Sequence, residues 1–137
     1  MKISKALKDS FIEEMDFVIS KMKECQSVEN TLFYFSAIPG AIQRIINIEY
    51  NPDLLYAHSI LQNTYQSFIQ RLSAAKSGDS VRLTDAQLDA LNAYTEEFIE
   101  SVEKGLKLDD LLKKFVILSF STTGNGYYLM QKGVLKI

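Results

Sequence analysis

Apolar residues recur every three or four positions along nearly the whole chain, the spacing that places them on one face of an α-helix. Over residues 3 to 25 the stripe is Ile3, Leu7, Phe11, Met15, Val18, Met22 and Cys25, widened by Ile12 and Ile19, with Phe17 lying off it. Ser27 can cap a second helix opening "VENTLFYF", because its hydroxyl can accept from a first-turn N–H. Pro39 and Gly40 interrupt that helix. A proline lacks the helical donor and clashes with the carbonyl four residues back, so "SAIPGAIQRIINIEY" is expected as a kinked continuation.

"NPD" at 51–53 reads as the next start, with Asn51 as cap, Pro52 in the first helical position and Asp53 favourable to the helix dipole. This helix is expected to run to about Ser77, where "SGDS" stops it. In "LTDAQL", Thr84 and Gln87 have the spacing of a capping box and Leu83 and Leu88 that of a hydrophobic staple. Leu88, Leu91, Thr95, Phe98 and Val102 then form a stripe that ends at Gly105. A fifth helix, Leu108 to Ser121, carries "LLKKFVILSF", whose apolar residues nearly encircle it and predict a central or oligomer-facing element. The tail, 122–137, is expected to be irregular or a short helix. Together these elements predict an all-α, single-domain antiparallel helical bundle over 1–137, with about four long helices plus one or two shorter ones.

Composition narrows the partners. The 137 residues are 47% hydrophobic and 23% charged, enough for a real core. Fifteen Lys and Arg against seventeen Asp and Glu leave a net charge of -2, which offers no general attraction to nucleic acid or anionic lipid. The lysines at 2, 5, 8, 113 and 114 are diluted by acidic neighbours. The start mixes charges among its apolar residues, unlike a signal peptide, and no apolar run approaches the roughly 20 residues of a membrane span. A single Cys25 cannot form an intramolecular disulfide. A soluble, cytoplasmic protein without nucleic-acid or membrane partners is expected.

The candidate chemistry is thin. His58, the only histidine, falls on the stripe Leu54, His58, Leu61, Tyr65, Phe68 and Leu72, so a packed imidazole is the expected reading. The alternative is a small-molecule pocket near His58 and Tyr65, completed by Tyr34 in the aromatic run Phe33, Tyr34 and Phe35. Residue 55 is Leu, so the Glu-x-x-His of a ferritin-type di-iron site is missing, and one histidine with one cysteine cannot make the usual zinc sets. Asp85, Asp89, Glu96, Glu100 and Glu103 share a sector opposite the fourth helix's apolar stripe, read as a solvated acidic face. The Glu-x-x-Glu of an all-α magnesium pyrophosphatase occurs there without the Glu-x-x-Asp that should follow. "TTGNGYY" lacks the lysine and spacing of a P-loop and is read as a chain reversal; phosphate binding there, with Tyr127 and Tyr128 able to stack on a base, is the sharper alternative. No catalytic residue, metal or cofactor is expected. Surplus apolar surface instead predicts self-association or a protein partner.

Overall fold

The computed structural model describes residues 2–75 and 81–137. Among the described residues the chain forms seven helices and no strand: α1 (Lys5–Glu24), α2 (Val28–Phe35), α3 (Ala37–Ile48), α4 (Pro52–Ala75), α5 (Asp85–Lys104), α6 (Asp109–Ser121) and α7 (Gly124–Gln131). The expected end of α4 near Ser77 and its "SGDS" stop lie outside the described residues. None of the helices described is long and apolar enough to cross a membrane.

The helix starts follow local chemistry. Ser27 accepts from the Asn30 N–H at the head of α2. Thr84 accepts from the Gln87 N–H while the Gln87 side chain accepts from the Thr84 N–H, so the capping box is complete. Gly105 closes α5 in the left-handed conformation, φ 67°, which a residue with a Cβ adopts at a cost. The ladder of the second rod breaks at Ser36, three residues before Pro39, yet Ser36 keeps right-handed helical angles of φ -60° and ψ -20°. Pro39 thus sits in the first turn of α3, where its missing donor costs little. The result lies between a kink and a break: two helices along one rod. The tail resolves as a short helix, α7, followed by turns.

α1, the α2–α3 rod, α4, α5 and α6 close into a ring around one core. Glu49 accepts from the Ser4 N–H and the Phe17 ring meets Tyr34, so the second rod runs back along α1. Lys8 reaches the Glu103 carbonyl and Lys23 pairs with Glu96, which sets α5 antiparallel to α1. Glu97 with Lys114 and Tyr94 with Phe115 set α6 antiparallel to α5. α6 then lies against α4 in the same direction: Tyr56 and Leu112 line one cleft near the start of both helices, and Ser119 donates to Thr64 towards the other end. A ring with an odd number of rods cannot alternate all the way round. The α4–α6 pair absorbs the mismatch. Phe11, Phe35, Phe68, Phe98 and Phe115 are buried inside, one from each rod.

Candidate functional site

Asn51 caps α4, the helix that carries His58, and ties its start to the beginning of the chain. Its side-chain oxygen accepts from the Asp53 and Leu54 N–H groups at 3.0 and 3.1 Å, and its amide donates to the Lys2 carbonyl at 2.7 Å. Along α4, Leu54, Ala57, Leu61, Thr64 and Phe68 are the buried positions. His58 and Tyr65 are half-buried on the flank of that stripe, two turns apart, rather than at its centre. Tyr65 packs its ring against the core. Tyr34, half-buried on α2, meets Phe17 and Phe33 edge-on at 6.3 and 5.1 Å between ring centres. None of the five clefts described is lined by His58, Tyr65 or Tyr34.

Concave surface lies elsewhere. A cleft of about 370 Å³ opens between α1 and α3 over Leu7, Phe11, Ala41, Ile45 and Ile48, with Arg44 at its edge held by Glu14. A second, of about 440 Å³, lies where the start of α2 meets the α4 C-terminal turns and the start of α5. A small cleft of about 70 Å³ beside it is lined by Arg71, Arg82, Thr84 and Tyr127, among others.

The acidic residues of α5 are all exposed. Glu96 pairs with Lys23 and Glu100 with Lys104, at 2.7 and 2.6 Å. The hydrogen bond from Lys104, and then its charge, hold Glu100 below the usual carboxylate range, and the same contact raises Lys104. At such exposed positions solvent screens most of the gain. Among the described residues no group of three or more His, Cys, Asp or Glu side chains is placed to hold a metal ion. Cys25 is half-buried after the last turn of α1 and its thiol donates to the Lys21 carbonyl at 3.0 Å. In the "TTGNG" segment Thr122 ends α6 and Thr123 caps α7, accepting from the Gly126 N–H.

The outer face of α6 carries a group of exposed apolar side chains. Leu111, Leu112, Phe115, Leu118 and Ser119 turn inward, while Val116, Ile117 and Phe120, at i, i+1 and i+4, stay 45%, 46% and 37% exposed. Tyr56, 58% exposed, stands across the α4–α6 seam beside Leu112. Phe17 and Phe33 make a second exposed aromatic pair around Tyr34. Comparison with protein-family models, with curated proteins and with solved structures finds no match for this chain.

Proposed function

We propose that this protein acts through its surfaces, as a homo-oligomer or as a small subunit of a larger assembly, without catalysing a reaction. The observation that carries the reading is the outer face of α6, where Val116, Ile117 and Phe120, within little more than one turn, are left 37–46% exposed. Burying such side chains against a partner is favourable by roughly 25 cal/mol per Å² of apolar surface removed from water. Contiguous exposed apolar patches on helical proteins commonly mark contact surfaces. The unpaired Cys25 supports a cytoplasmic setting as part of the same reading.

Native mass spectrometry combined with light scattering tests it. The wild-type chain is expected as a discrete multimer or with a stoichiometric protein partner. The double substitution Val116→Glu with Phe120→Glu should release monomers while the far-ultraviolet circular dichroism stays unchanged, because both positions face outward. A wild-type chain that stays monomeric up to high micromolar concentration and retains no partner would sink the proposal.

A further inference from the structure

Phe17 lies off the apolar stripe of α1, and the fold gives it ring neighbours without covering it. Its ring meets Tyr34 of α2 edge-on at 6.3 Å between centres, and Phe33 meets Tyr34 edge-on at 5.1 Å. Both contacts are near perpendicular, with 76° between the ring planes. Tyr34 is half-buried, while Phe17 and Phe33 stay 55% and 67% exposed. A cation already stands at this corner. The Lys21 ammonium, one turn after Phe17 on α1, lies 5.7 Å from the centre of the Phe17 ring and 3.7 Å from a Glu24 carboxylate oxygen. The acidic side chains nearby in the helix are less engaged. Glu13, one turn before Phe17, and Asp16, next to it, are exposed, and neither is ion-paired among the described residues.

We infer that this aromatic corner receives the cationic side chain of a lysine or arginine on a partner protein. The face of an aromatic ring is electron-rich and attracts an ammonium or guanidinium that comes over it. Lys21 makes that contact from within the chain, and with it in place the Phe17 ring is still more than half exposed. An edge-on contact uses at most one face of a ring, so each outer ring keeps a face free of Tyr34. Charge then selects the occupant. An uncharged apolar partner would strip water from Glu13 and Asp16 without replacing it, and an acidic partner would be repelled by them. A basic side chain answers both the rings and the carboxylates. The corner belongs to α1 and α2, which do not pack on α6, so this inference does not rest on the contact proposed for the α6 face.

Nuclear magnetic resonance of the aromatic rings tests the corner, with the full chain titrated with tetramethylammonium, with a capped octalysine peptide and with tert-butanol as a neutral group of similar shape. Saturable shifts of the Phe17, Phe33 and Tyr34 rings are expected with the two cationic probes and not with tert-butanol. Phe17→Leu and Phe33→Leu keep an apolar side chain without the aromatic face. Each should weaken tetramethylammonium binding, read at Tyr34, about two- to fivefold. Lys21→Gln removes the resident cation and should strengthen binding of the same probe by about the same factor, a gain that a merely structural ring cluster would not show. Circular dichroism identifies any leucine variant that fails to fold, and for those Lys21→Gln decides. Octalysine binding that is unchanged in both folded leucine variants would assign the attraction to the acidic side chains alone and overturn the inference. Equal shifts with tert-butanol, no saturable shift with tetramethylammonium, or no gain in Lys21→Gln would overturn it as well.

Discussion

Two glycines, Gly126 and Gly40, carry opposite expectations. A Cβ added at Gly126 would lie 2.8 Å from the Phe120 carbonyl carbon and from the Ser121 Cα, and closer still to the Phe120 oxygen. All three are backbone atoms and cannot swing aside, so Gly126→Ala must push α7 away from the end of α6. A loss of about 1–3 kcal/mol is expected from such overpacking. A Cβ at Gly40 meets nothing within 4 Å, and the residue lies inside α3, where alanine is favoured over glycine by roughly 0.5–1 kcal/mol. Urea unfolding of the two variants should therefore move the midpoint in opposite directions. Equal effects would mean that α7 does not pack on α6 in solution.

This contrast shows what one sequence conveys at single positions. "TTGNG" signals a reversal, but only the packing says which of its glycines is obligatory. His58 illustrates the same limit on a longer helix. The apolar spacing through Leu54, Leu61 and Phe68 is plain, and these three are buried. Between them the chain chose the small Ala57 and Thr64 as inward residues and left His58 and Tyr65 on the flank. Small side chains let neighbouring rods approach α4 closely, and a hydropathy stripe gives them too little weight to predict that.

At the scale of elements, Gln87 ties a local signal to a distant one. Its oxygen accepts from the Thr84 N–H at 2.9 Å, and its amide donates to the Ser121 hydroxyl at 3.0 Å and carbonyl at 3.3 Å. The capping half was legible in "LTDAQL". The other half joins the head of α5 to the end of α6 and has no trace in sequence, because it depends on α6 returning antiparallel. Thr84→Ala removes the cap alone, at about 1 kcal/mol. Gln87→Ala also strips partners from groups that are buried, so about 2–3 kcal/mol is expected. A double-mutant cycle between Gln87→Ala and Ser121→Ala, read by chemical denaturation, should give a coupling of about 1 kcal/mol. Additive effects would show that the contact does not link the two helices.

The whole molecule is a closed ring of five rods with α7 attached at one end, and its stability should be distributed accordingly. Each of the five rods packs on two neighbours and sends an aromatic residue into the common core. No rod can leave without exposing the residues of the others. α7 packs chiefly on α6, and of its own residues only Gly126 is buried. Its opening exposes little apolar surface and so costs little free energy, since the energy of a local opening follows the contacts it breaks. The parallel α4–α6 seam is different. It is buried through Leu112, Phe115 and Ser119 and bonded through Thr64, so its irregular direction in the ring does not make it the weak point. Native-state hydrogen exchange should therefore find amides in α7 exchanging through an opening well below the global unfolding energy, insensitive to low denaturant. Amides at the centres of α4, α5 and α6 should converge on one global value. If α6 opened together with α7 while the remaining rods stayed protected, the ring would be an open sheet of four helices with a detachable fifth, and the core would have to be redrawn without Phe115.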